Sequence, residues 1–133
     1  MVFFGIISVG IGAMLGAWLR WALSLLLNPI VPMLPLGTLT ANLIGGYLIG
    51  LVLGYIEHFQ TLSPEMRLFI TTGFLGGLTT FSTFSGETTA LLLRQEYLWA
   101  GLMIGAHVIG SIAMTLLGVG TIAILKSWIA NHG

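Results

Sequence analysis

Gly73-Phe74-Leu75-Gly76-Gly77-Leu78-Thr79-Thr80-Phe81-Ser82-Thr83-Phe84-Ser85-Gly86-Glu87 is the stretch on which the fold turns. Five hydroxyl residues fall within the seven positions 79–85, directly after two adjacent glycines. A straight helix gains nothing from that order. Paired glycines invite a kink or break. In lipid, a break frees backbone carbonyls and amides, which must then face protein, water or an ion. Broken mid-membrane helices are a common way to build ion sites. The same residues also fit a kinked packing helix whose hydroxyls bond back to the preceding turn.

The surroundings of this stretch place it in a membrane. Of 133 residues only 6% are charged, four Lys or Arg and four Asp or Glu, against about 25% in a soluble domain. Hydrophobic residues make up 56%, and the mean hydropathy is +1.04. No polar surface can be built from this, which excludes a soluble globular domain, a disordered chain and a nucleic-acid binder. Zero Cys excludes disulfide frameworks, thiolate metal sites and thiol catalysis. A crossing takes about 20 residues, so the chain allows roughly four or five.

Charges and prolines divide the chain into an all-α, four-helix integral membrane domain over 1–133. The charges are Arg20, Glu57, Glu65, Arg67, Glu87, Arg94, Glu96 and Lys126. Asn28-Pro29 and Pro32 to Pro35 interrupt the first neutral run, because proline lacks an amide donor and disfavours helix before it. The predicted spans are 3–27, 37–56, 66–93 and 97–126. Ser63-Pro64-Glu65 reads as a helix start. The first span lacks a basic flank and a cleavage pattern, so it is not read as a signal peptide. Trp18, Trp21, Trp99 and Trp128 read as interface anchors.

With four spans, Arg67 and Lys126 share one side, and Arg20 and Arg94 the other. The positive-inside rule needs an imbalance, and two against two supplies none. The orientation is therefore unreadable, or the chain inserts both ways and pairs antiparallel. Glycines recur four apart at Gly12 and Gly16, Gly46, Gly50 and Gly54, Gly73 and Gly77, and Gly101 and Gly105. They share helix faces and read as close helix packing in a bundle or dimer.

Polar groups inside spans are costly and each requires a reason. Asn42 fits interhelical glue or a polar path equally well. Phe81 and Phe84 share a face, and their positive ring edges can meet an anion without a charged side chain. Thr80, Thr83 and Glu87 lie on a neighbouring face, where hydroxyls can donate to an anion. Glu87 fits proton coupling, orientation of hydroxyls, or pairing with Arg. His107, Ser111 and Thr115 form a polar stripe on the last span. Arg20 can snorkel or act as a vestibule charge. No paired carboxylates, nucleophile–base pair, metal cluster or phosphate loop is present, so the chain is not read as an enzyme.

Gly73 to Glu87, centred on Gly76-Gly77-Leu78-Thr79-Thr80-Phe81-Ser82-Thr83-Phe84, resembles the signature of the Fluc (CrcB) family of small bacterial fluoride channels. Gly37-Thr38-Leu39 with Asn42, and Gly16-Ala17 with Arg20-Trp21, resemble its other motifs, so the likeness spans the chain. The resemblance implies a multi-pass protein of the bacterial inner membrane with a broken third helix. It also implies a dual-topology antiparallel homodimer with two fluoride pores, exporting fluoride passively and conferring fluoride resistance. By the same resemblance, Asn42, Phe81, Phe84, Thr80, Ser82, Thr83, Ser111 and Glu87 line or flank the pore, and Arg20 sits in a vestibule. The carbonyls of Gly76 and Thr79 would hold a structural Na⁺ at the dimer interface. Met103 stands where some relatives carry a tyrosine. The alternative is a small dual-topology, proton-coupled multidrug transporter, which typically needs a Glu in the first span; this span has none. A third reading is a non-transporting subunit of a membrane assembly.

Overall fold

The computed structural model describes residues 1–133, all helical apart from short connections. Helix α1 (Val2–Leu27) passes into a 3₁₀ turn (Asn28–Ile30), and α2 follows (Leu36–His58). Helix α3 covers 64–78 as an α turn (Pro64–Arg67), a π-helical stretch (Leu68–Leu75) and a last α turn (Gly76–Leu78). Helix α4 is Phe81–Leu93 and α5 is Tyr97–His132.

Residues Val2–Ile30, Leu36–His58 and Tyr97–His132 are each long and apolar enough to cross a membrane. The segment 66–93 lies on two helices, α3 and α4, with Thr79 and Thr80 extended between them. The interruption is three residues beyond the glycine pair to which the sequence pointed. Gly76 and Gly77 stay helical, and Gly77 is small for packing: a Cβ there would run into the Ala13 carbonyl of α1. Helix α5 continues past the expected end at 126 because 121–132 contains no Pro or Gly to stop it. Its 36 residues span about 54 Å, more than the roughly 30 Å of a hydrocarbon core.

The helix ends are closed locally. Ser63 Oγ accepts from Met66 N–H with Pro64 in the first turn. Asn28, from the 3₁₀ turn, caps α2: its Oδ1 accepts from Gly37 N–H (2.7 Å) and Thr38 N–H (3.2 Å). Helix α4 ends with Glu96 N–H on Leu91 O and Gln95 N–H on Leu92 O, the paired bonds of a Schellman end. That end puts Gln95 at φ 61°, where a Cβ is disfavoured. Gln95→Gly is expected to stabilise the protein by about 1 kcal/mol; thermal unfolding in detergent checks this, and an unchanged or lower midpoint would contradict it.

Close packing runs through the glycine faces. A Cβ on Gly12 or Gly16 of α1 would strike the α3 backbone, and one on Gly73 would come within 2.8 Å of the Val9 carbonyl. Helices α2 and α5 meet through Gly46, Gly50, Gly54 and Gly118 in the same way. Gly101 and Gly105 differ, with open space where a Cβ would stand. Only 19 of 133 residues are buried, while long runs of Ile, Leu and Phe on α1 and α5 are exposed. That distribution suits a bundle whose solvent is lipid.

Candidate functional site

The site is built around the interruption between α3 and α4. Thr79 (φ −86°, ψ 152°) and Thr80 (φ −151°, ψ 109°) are extended. Thr80 N–H would donate to the Gly76 carbonyl in an unbroken helix. It donates instead to Asn42 Oδ1 of α2 (2.8 Å), and Asn42 Nδ2 donates back to the Thr80 carbonyl (3.2 Å). One amide thus pairs both main-chain groups of Thr80, as a neighbouring strand would. Thr80 also caps α4, its Oγ1 accepting from Thr83 N–H (3.2 Å) and donating to Thr83 Oγ1 (3.0 Å). Ser82 Oγ lies 3.4 Å from the same hydroxyl.

Asn42 has a third partner, His107 Nδ1 of α5, at 3.0 Å from Nδ2. His107 is buried, and its ring lies over Phe84 with centroids 4.6 Å apart and planes 32° apart. Its Nε2 has no protein partner. Phe84 is 8% exposed and Phe81 77%, yet their rings meet edge to face at 5.5 Å. A cavity of about 540 Å³ opens here. Asn42, Gly76, Thr79, Thr80, Phe81, Phe84, His107 and Ser111 are among the residues lining it.

Of the predicted residues, the cavity therefore collects Asn42, Thr80, Phe81, Phe84 and Ser111, together with Gly76 and Thr79. Ser82 and Thr83 join it through the Thr80 hydroxyl. Glu87 stands apart: its Oε1 accepts from Thr38 Oγ1 at 2.6 Å, and its Oε2 is buried without a partner. It is thus bound to a hydroxyl rather than to an arginine. Arg20 reaches across to α3, where its Nε donates to the Gly77 carbonyl at 3.0 Å. Met103, one turn before the stripe, is completely buried and packs with Phe84, Leu91 and Ala100. Thr115 Oγ1 donates to the Gly46 carbonyl at 2.9 Å and holds α5 to α2.

Two residues of this network, Thr38 and His107, lie outside the set the sequence nominated for the pore. Thr38 precedes Asn42 by one turn, and His107 heads the stripe that continues to Ser111. Helical spacing from those two predicted residues is the signal that reaches them.

Several helices able to cross a membrane, apolar outer faces and a cleft lined by an amide, hydroxyls and two phenylalanine rings define a multi-pass membrane protein with polar groups in a cleft between its helices. Comparison with known proteins gives its family. The model of the CrcB-like protein, Camphor Resistance (CrcB) family matches residues 7–119, and the chain belongs to that family. A protein named fluoride-specific ion channel FluC from Nitrosospira multiformis is 54% identical over 132 residues, covering 99% of this chain and all of the relative. Another so named, from Ralstonia pickettii, is 56% identical over 118 residues, 89% of this chain and 94% of the relative. One from Pseudomonas syringae pv. maculicola is 54% identical over 114 residues, 86% of this chain and 90% of the relative.

Proposed function

We propose that this protein is a fluoride-selective channel that passively exports fluoride from the bacterial cytoplasm, and so confers fluoride resistance, rather than an enzyme. The observation that carries the reading is the cavity at Thr79-Thr80, in a chain whose close relatives are named fluoride channels. Fluoride is small and strongly hydrated, so a pore must replace its water with donors. Hydroxyls and the edges of Phe81 and Phe84 offer such donors, beside the Asn42 amide that holds Thr80 in place, without a cationic side chain that would trap the ion, and conduction needs escape as well as entry. HF enters cells and dissociates in a less acidic cytoplasm. A negative-inside potential then favours anion exit by about 2.3 kcal/mol per 100 mV, so a passive pore suffices. The exchanger alternative lacks its carboxylate: Glu87 sits on α4, and α1 has none.

The working unit in this proposal is an antiparallel homodimer with two pores. Phe81 lines the cavity yet is 77% exposed, so a single copy leaves the cleft open on one side. The unmet glycines on α5, Gly101 and Gly105, suit close approach of a second helix. A structural Na⁺ fits the same unit. The Gly76 carbonyl loses its helical donor because Thr80 N–H goes to Asn42, and Thr83 N–H goes to Thr80 Oγ1 rather than to the Thr79 carbonyl. Freed carbonyl oxygens are the ligands that replace an alkali ion's water. Two per copy are too few alone and sufficient when doubled. Na⁺ would supply fixed charge that holds the two interruptions together, with Gly76 and Thr79 as its ligands.

Purified protein in liposomes, with a K⁺ ionophore to release the counter-charge, is expected to discharge fluoride. No efflux above empty vesicles would end this reading. Phe81→Ile and Phe84→Ile are each expected to slow efflux by about a hundredfold, equivalent to roughly 2.7 kcal/mol. Unchanged rates in both would remove the ring-edge role.

A further inference from the structure

We infer that His107 is a positioning residue, held as the neutral tautomer with its proton on Nε2, that fixes the Asn42 amide on the interrupted span. The inference rests on the channel reading for its conduction assay and on geometry alone for its tautomer. Thr80 N–H can only donate, so the Asn42 atom 2.8 Å from it is oxygen. The Thr80 carbonyl can only accept, so the Asn42 atom facing it is nitrogen. The two main-chain groups of Thr80 therefore set the orientation of the amide. That orientation turns Nδ2, a donor, toward His107 Nδ1 at 3.0 Å. Nδ1 must accept and carries no proton, and the ring's one hydrogen lies on Nε2.

The pairing works in both directions. His107 supplies the acceptor for the second Asn42 N–H. Phe84 fixes the plane of the ring from the other side. The anchor on α5 is thereby tied through Asn42 on α2 to Thr80 between α3 and α4. A proton on Nδ1 would place N–H against N–H. The amide cannot turn to accommodate it without giving up Thr80 N–H. Acid should therefore loosen the interruption through His107.

The side chains in contact with His107 are not themselves ionisable: Asn42 from α2 and Phe84 from α4. Glu87, on the same helix as Phe84, is engaged by Thr38, and Arg20 of α1 is engaged by Gly77. Glu57 and His58 lie at the far end of α2. The ionisable groups sharing α5 are Tyr97, Lys126 and His132, each more than two turns away.

Fluoride efflux is measured from liposomes over a pH series from neutral well into the acid range, equal on both sides, with empty vesicles correcting for HF permeation. Wild-type efflux is expected to fall along the series, by about tenfold at its acid end, where the ring is forced to take a second proton. His107→Gln keeps an acceptor for Asn42 and cannot be protonated, so it should conduct with a flat pH profile. His107→Leu should conduct at least about tenfold less at neutral pH. A His107→Gln profile that falls like wild type would overturn the proposal. Histidine ¹⁵N NMR tests the tautomer independently of conduction, with the His107 signals assigned by their loss in His107→Gln. A neutral ring protonated at Nε2 is expected at neutral pH. A ring protonated at Nδ1, or at both nitrogens, would overturn the proposal even if fluoride transport held.

Discussion

Asn42→Leu is expected to abolish measurable fluoride efflux and to lower the stability of the folded protein. Leucine fills a similar volume but pairs with neither main-chain group of Thr80. The Thr80 carbonyl retains the first bond of α4, as a capping residue's carbonyl does. Its N–H has no helical acceptor while Thr79 and Thr80 stay extended. An unsatisfied buried donor costs about 1–3 kcal/mol in proteins and more where lipid is the solvent. The relief available is for Thr80 to rejoin a continuous helix with Gly76, which closes the cavity. A cost near 3 kcal/mol corresponds to about a hundredfold loss of the competent conformation. Efflux within about threefold of wild type would show that the Asn42–Thr80 pairing does not hold the site open. Thermal unfolding of the same preparation separates loss of fold from loss of conduction.

Gly50→Leu is expected to have the larger effect on folding, with little or no monodisperse protein recovered. A Cβ at this position runs into the Thr115 carbonyl and the backbone at Gly118. Helices α2 and α5 would have to separate, and Thr115 Oγ1 would lose the Gly46 carbonyl. Asn42 and His107 lie on these two helices, so the site opens with them. Close backbone approach replaces the hydrophobic effect as the source of helix association in lipid, so no other term compensates. Gly101→Leu is the informative contrast, since its Cβ meets open space within one copy. It should leave the protomer folded and weaken only association, read by cross-linking in liposomes. Normal recovery of Gly50→Leu would contradict the packing described for α2 and α5.

Much of the fold is legible in the amino-acid sequence. Charge scarcity alone places the chain in a membrane, because six charged residues in every hundred cannot face water over a whole surface. Proline and charge positions locate most helix ends closely, since both carry their effect locally, but not the C-terminal end of α5, which runs on to His132. The hydroxyl run marks the unusual segment. The position of its interruption is not legible in the same way. Gly76 and Gly77 have the conformational freedom to break a helix, yet their small size is used against α1 and they remain helical. Thr79 and Thr80 are extended because Asn42, 38 residues before Thr80, supplies the partner that Thr80 needs. No local pattern encodes that pairing.

The same distinction separates the site's members. Phe81 and Phe84 are three apart and share a face by periodicity, but only the fold buries one ring and exposes the other. Glu87 offers three roles by spacing, and the proximity of Thr38 gives it a hydroxyl partner. The sequence by itself determined solvent, secondary structure and the inventory of donors, because these follow from composition and short-range spacing. The tertiary structure decided where the third segment is interrupted, which way the Asn42 amide faces, and that His107 belongs to the site. Those outcomes depend on long-range hydrogen bonds, and in lipid each buried main-chain group must find its partner within the protein.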